Sequence, residues 1–161
     1  MATLHLIHGF VGAGKTTVFR NLETKIPAIR FTLDEWIVKL YGHNPPEDKF
    51  IEYSNRVSSL IWQLTTQLLD LDRDVILDFG FWSRASRDRA REFARSVNAE
   101  VKLYSICCSD KVMKRRVALR NKNLPSDSLW IDDHAFELFK QGYEALEKDE
   151  PHVVIQTSQI V

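Results

Sequence analysis

The chain has 161 residues, 44% apolar and 27% charged, enough for one full hydrophobic core and ordinary for a globular domain. Basic (Lys plus Arg) and acidic (Asp plus Glu) residues number 22 each, so a formal net charge of zero argues against general attraction to nucleic acid or an anionic membrane. No apolar run approaches membrane-spanning length, no leader pattern precedes the first strand, and Cys107 and Cys108 sit side by side without metal-ligand spacing, so the expectation is a cytoplasmic protein with two buried thiols.

Thr3 to His8 reads as a short apolar strand. It runs into Gly9-Phe10-Val11-Gly12-Ala13-Gly14-Lys15-Thr16, which satisfies the phosphate-loop pattern G-x-x-x-x-G-K-[ST] at every fixed position. Thr16 to Glu23 then reads as a helix. Glycines let the backbone curl so that its N–H groups face an anion. The helix start adds unpaired N–H groups and the positive end of its dipole. Gly9, Val11, Gly12, Ala13, Gly14, Lys15, Thr16 and Thr17 are therefore the candidate nucleotide-binding residues. Lys15 would neutralise the β- and γ-phosphates, and the Thr16 hydroxyl would bind Mg²⁺.

Ala28 to Thr32, introduced by Pro27, is a second strand, with Asp34 at its carboxyl end. A phosphoryl transferase needs a carboxylate there to orient the acceptor hydroxyl and take its proton; the other reading of Asp34 is an N-cap for a short helix to Leu40. Residues 41–46, with Gly42, Asn44 and two prolines, form a loop. A long helix is expected from about Ser54 to Leu71, with Val57, Leu60, Ile61, Leu64, Leu68 and Leu71 on one apolar face.

Asp74 to Asp78 is a third strand whose continuous apolar centre suits a parallel strand covered on both faces. Asp78 ends it as a candidate Mg²⁺ ligand. The connection Phe79-Gly80-Phe81-Trp82, with Trp36 and Trp62, either walls an acceptor pocket or fills the core. Ser83 caps a helix reaching Val97 that carries Arg84, Arg87, Arg91 and Arg95 in one stripe. Arg84 and Arg87, in its first turn, are candidate ligands of an anionic substrate group, whereas Arg91 and Arg95 read as a solvated face.

Val101 to Cys107 is a fourth strand, and Ser109 or Asp110 caps a basic helix to about Asn121. Arg116 and Arg120 share a face of that helix and can reach one anion together, so residues 112–130 are a candidate lid closing over phosphates. The alternative is a surface helix paired with the acidic segment 132–150. A helix from Asp132 to Glu147 with Phe136, Phe139, Tyr143 and Leu146 inward, and a last strand at Val153 to Ile155, complete the chain. His5, His8 and His134 have no partner constellation and read as core or surface residues. Alternating strands and helices predict an α/β, three-layer, five-stranded parallel sheet in a single domain over 1–161, with ligands outside the carboxyl ends of the strands.

Taken together, the phosphate loop, Leu33-Asp34-Glu35, Asp78-Phe79-Gly80-Phe81-Trp82 with Arg84 and Arg87, and Arg116-x-x-x-Arg120-Asn121 resemble the small P-loop kinases grouped as AAA-type or zeta-toxin-like, similar in layout to polynucleotide 5′-kinase and chloramphenicol phosphotransferase. The resemblance runs from about Leu4 to Tyr143. It implies an adenylate-kinase-like fold, Mg·ATP as donor, Asp34 as the acceptor-side base, and Arg116 and Arg120 as lid arginines. Two residues after that aspartate, polynucleotide kinases usually carry arginine; here it is Trp36, which favours a less charged small molecule, such as an antibiotic or metabolite, with a hydroxyl. A nucleic-acid 5′-hydroxyl kinase and an ATP-binding switch without transfer are the competing expectations.

Overall fold

The computed structural model describes residues 1–157. In chain order the elements are β1 (Thr3–His8), α1 (Lys15–Glu23), β2 (Ala28–Thr32), α2 (Leu33–Tyr41), α3 (Glu47–Asp70), β3 (Asp74–Gly80), α4 (Arg84–Ser96), β4 (Glu100–Cys107), α5 (Asp110–Lys122), α6 (Asp133–Gln141) and β5 (Val153–Gln156). The five strands form one parallel sheet in the order β2-β3-β1-β4-β5. The chain leaves β1 in one direction for β3 and β2 and in the other for β4 and β5. That reversal opens a crevice at the carboxyl end of β1, where the glycine loop lies.

Burial explains the strands. Leu4, Leu6 and Ile7 of β1 and Val75, Ile76 and Leu77 of β3 are all 0% exposed. Consecutive buried residues point to opposite faces of a strand, so both faces of the sheet are covered. Strand β3 runs two residues past the expected end, because His8 pairs with Gly80 across a shift in register.

The helices depart from expectation in informative ways. Helix α3 begins at Glu47, seven residues before the expected start at Ser54; Pro46 occupies its N-cap and Glu47 and Asp48 its first turn, where acidic side chains suit the helix dipole. Its buried line is Val57, Ile61, Thr65 and Leu69, while Leu60, Leu64 and Leu71 are exposed, so only the half of the expected face turned to the sheet is covered. Helix α6 stops at Gln141 rather than Glu147, because the backbone beyond it is drawn into tertiary pairing: Glu144 N–H donates to the Trp82 carbonyl at 2.7 Å. Ser83, Ser109 and Asp132 cap α4, α5 and α6 with their side chains. Cys107 and Cys108 are half-buried rather than buried, since both lie where β4 leaves the sheet.

Candidate active site

The glycine loop is built by close contacts that only its sequence allows. Gly12 and Gly14 have φ of 78° and 95°, in the left-handed region. A Cβ on Gly12 would sit 2.6 Å from the Met113 carbonyl oxygen of α5. Ala13 N–H donates to Phe10 O at 3.1 Å, closing the turn, and Lys15 Nζ donates to the same carbonyl at 3.0 Å. Helix α1 starts at Lys15 with no side-chain cap, so its first N–H groups face the cavity. Trp82 Nε1–H donates to the Gly9 carbonyl at 3.0 Å and braces the loop from the β3 side.

The loop forms one wall of a cavity of about 510 Å³. Val11, Gly12, Gly14, Lys15, Thr16 and Thr17 line it; Gly9 and Ala13 lie beneath, Ala13 with 1% exposure. Asp34, Asp78, Arg116 and Arg120 line the same space. Asp34 is not an N-cap: α2 begins one residue earlier, at Leu33, with Thr32 at its N-cap. The Asp34 carboxylate therefore accepts no hydrogen bond from any described residue and projects into the cavity. Surrounding protein atoms push its carboxyl above its ordinary value, against the pull of Lys15 and Arg120.

Asp78 is 7% exposed and faces Thr32 across the β2–β3 ladder, whose hydroxyl donates to Oδ2 at 3.3 Å. Thr32 is itself held by Arg30, which pairs with Glu23 at 2.9 Å and Glu35 at 2.8 Å and donates to the Thr32 hydroxyl. Burial pushes Asp78 up to about 6, the neighbouring Asp34 charge adding to it and Lys15 opposing it. Burial likewise lowers Lys15 and Arg120, with both aspartates opposing it at Lys15 and Asp34 at Arg120. Two carboxylates and two cations thus face one another around the mouth of the phosphate loop. Thr32 and Arg30 were not singled out from sequence, because their role appears only once the β2–β3 register is known.

The two arginines of α5 part company. Arg116 donates to Gly12 O at 3.3 Å and to the Thr157 hydroxyl at 3.2 Å, tying the loop to the segment after β5. Arg120 turns into the cavity, and its Nε is buried with no partner among the described residues. The other basic side chains divide: Lys114 pairs with Glu137 at 2.8 Å, as in the surface-helix reading. Over the cavity, His43 and the loop after α5 are bridged twice, Trp130 N–H to His43 O at 2.9 Å and His43 Nδ1 to Ser128 O at 2.7 Å.

Three expected substrate residues lie elsewhere. Arg87 is 0% exposed and forms a bidentate pair with Glu150 at 2.8 and 2.9 Å, its remaining donors on the carbonyls of Phe81, Trp82, Glu144 and Ala145. Arg84 meets Asp88, Glu147 and Asp149 at the surface. Trp36 packs edge-on against Phe31 at 5.8 Å and lines neither cavity. The carboxylate-rich segment between α6 and β5 captures Arg84 and Arg87, which helix spacing alone does not foretell. Arg91, expected in solvent, also reaches Glu150. Phe81 is buried and lines a second cavity beside the first. His8 is a core residue: Nδ1–H donates to Phe81 O at 3.0 Å, the ring stacks on Tyr143, and burial keeps it neutral by lowering its pKa.

A family model described as an AAA domain matches residues 4–146. No curated protein matches the sequence. Similar solved structures include a candidate kinase from Chloroflexus aurantiacus (14% identity, 98% of this chain and 89% of that one, TM-score 0.78). Others are Kti12 from Chaetomium thermophilum in complex with ADP-AlF3 (14%, 95% and 88%, TM-score 0.71) and a gluconokinase from Sinorhizobium meliloti (17%, 98% and 83%, TM-score 0.64). At these identities the likeness is one of fold, and the fold is that of the P-loop kinases.

Proposed function

The chain belongs to the AAA domain family of P-loop kinase-like proteins, and from that footing we propose that it transfers the γ-phosphate of ATP to a hydroxyl of a small molecule. The observation that carries this is Asp34: a carboxylate relieved of any capping duty, in the same cavity as Lys15 and the glycine loop. A nucleotide switch has no use for such a group, whereas phosphoryl transfer does.

The residues present also suit Mg²⁺. The Thr16 hydroxyl and Asp78 carboxylate are hard oxygen donors, few in number, as a Mg²⁺ that keeps water and phosphate oxygens requires. A buried carboxyl pushed up to about 6 is one whose charge a cation would stabilise. When bound, the ion would supply positive charge against the charge developing on the transferred phosphoryl group. The chain's own residues do the rest. Lys15 and the N–H groups of α1 hold the phosphates. Asp34 takes the proton of the acceptor hydroxyl as its oxygen bonds the γ-phosphorus, and the bond from that phosphorus to the leaving ADP oxygen breaks. Arg120 meets charge on the transferred group. Neutral net charge favours a small acceptor over a polynucleotide.

The test is ADP formation across a panel of aminoglycosides, other hydroxylated antibiotics, sugars, nucleosides and 5′-hydroxyl oligonucleotides, with Lys15→Ala as control. Acceptor-dependent ADP release that Lys15→Ala abolishes, in a protein that still melts cooperatively, is expected. ADP release that no acceptor stimulates would leave an NTPase or switch instead.

A further inference from the structure

Beside the phosphate cavity lies a second, of about 630 Å³, framed by α3, the end of β3 and α4. The two share Leu33, Phe79 and Trp82 as common walls, and Leu33 is the neighbour of Asp34. The second cavity is an aromatic box. Phe79 and Phe81 stack at 5.7 Å and 12°, and Trp62 meets Phe79 edge-on at 6.1 Å and Phe93 at 4.8 Å. Trp62, Phe79 and Phe93 stay half-exposed although rings of this size gain from burial.

The wall is held in place by strain. Gly80 and Phe81 have φ of 77° and 46°, and for a bulky aromatic residue that is an outlier. The turn is fixed in that shape because the Phe81 carbonyl accepts from both His8 and the buried Arg87. Backbone strain stabilised from two sides, beside a candidate catalytic cavity, is the pattern of a built site.

Its polar side chains are few, chiefly one arginine and three serines. Among the described residues, Arg89 is the only ionisable one lining the cavity, and it makes no hydrogen bond or ion pair with any of them. Its neighbours on α4, Arg84, Arg87 and Arg91, are each paired with carboxylates. The hydroxyls of Ser83 and Ser86 are spent on the start of α4, whereas that of Ser58 has no partner among the described residues. One turn earlier on α3, Ser54 lines the phosphate cavity with a buried hydroxyl that is also unpartnered. Ser54, Ser58 and Trp62, at four-residue spacing, thus make a continuous strip from one cavity into the other.

We infer that the second cavity is the docking subsite of the acceptor, and that the acceptor is an aromatic alcohol carrying an anionic group. Its ring lies among Trp62, Phe79, Phe81 and Phe93, its anion meets Arg89, and its hydroxyl crosses Leu33 to Asp34. This rests on the phosphotransferase reading for the role of the hydroxyl, but the binding of ring and anion does not.

Calorimetric titration of the full chain without nucleotide tests it, with three probes: para-(hydroxymethyl)benzoate, benzyl alcohol, and the cyclohexane analogue of the first. The aromatic carboxylate is expected to bind more tightly than either of the others. Arg89→Ala, at an exposed position, should weaken it about fivefold while leaving benzyl alcohol unchanged. Ser58→Trp should block it by filling the cavity, with melting temperature recorded alongside; if that variant unfolds, Arg89→Ala decides alone. Equal affinity for the three probes, or indifference of the carboxylate to Arg89→Ala, overturns the inference. Probe binding with no phosphoryl transfer to any acceptor overturns the transfer reading and leaves the subsite. Transfer to aliphatic alcohols with no probe binding does the reverse.

Discussion

At the scale of the residue, the site turns on what each side chain is free to do. Asp34 sits in the first turn of α2, one position inside the helix, and holds no backbone group. Asp34→Asn keeps its volume and should leave melting temperature and ATP affinity near wild type. Loss of a positioned base should cut transfer by roughly 10²–10⁴-fold. Full-rate transfer in that variant would remove Asp34 from the mechanism. The two arginines of α5 should separate in the same assays. Arg120 has a buried, unpartnered Nε facing the cavity, so Arg120→Ala should lower kcat with little change in stability. Arg116 is tied to Gly12 and Thr157, so Arg116→Ala should lower melting temperature and raise the KM for ATP as well. Identical kinetic and thermal profiles for the two would refute this division of labour.

Elements decide what sequence periodicity can and cannot convey. The strands, the glycine loop and the caps Ser83 and Ser109 were legible because each depends on local pattern: continuous apolar runs, a fixed motif, a serine before a helix. Asp34 and Asp78 were legible as cavity residues because the carboxyl ends of parallel strands converge, and Arg116 and Arg120 because their four-residue spacing puts them on one helix face. The pairing of Arg84 and Arg87 was not, because the carboxylates that hold them lie far along the chain: Glu150 is 63 residues from Arg87 and Asp149 is 65 from Arg84. Glu150 is 2% exposed and answers Arg87 and Arg91 together. Glu150→Gln leaves the Arg87 charge buried without a counter-ion, a change that costs about 3–5 kcal/mol in such pairs. Arg87 above all, opposed by burial and joined by Arg91, holds the Glu150 carboxyl far below its ordinary 4.5. A carboxyl with a lowered folded value contributes stability that is fully present above 4.5 and is lost as pH falls through the folded value. The gap in melting temperature between wild type and Glu150→Gln should therefore be widest at about pH 7 and narrow by about pH 3. A gap that is constant with pH would mean the pair contributes shape rather than charge.

For the molecule as a whole, the glycine loop near one end of the chain is completed by a residue near the other. Thr157 follows β5, is 0% exposed, and donates its hydroxyl to the Ala13 carbonyl, 144 residues away. The same hydroxyl accepts from Arg116 at 3.2 Å, and its backbone N–H donates to Cys107 O at 3.0 Å. Its side chain also packs beneath Gly14, where an added Cβ would meet it at 3.3 Å. The sheet order makes this possible: β4 lies next to β1, so the strand beyond it, β5, delivers its end to the underside of the loop. Phosphate binding asks the loop to hold its N–H groups inward before the anion arrives, and Thr157 is one of the contacts that keeps it so. Thr157→Val preserves the packing under Gly14 but leaves the Ala13 carbonyl without its buried donor, at a cost of about 1–3 kcal/mol. Melting temperature should fall accordingly, and the affinity for Mg·ATP should fall with it, while kcat at saturating ATP changes less. The contrast with Asp34→Asn is the check: one variant loses transfer and keeps binding, the other loosens binding and keeps most of the transfer. A Thr157→Val protein that melts lower yet binds Mg·ATP as wild type would show that the loop holds its shape without help from β5.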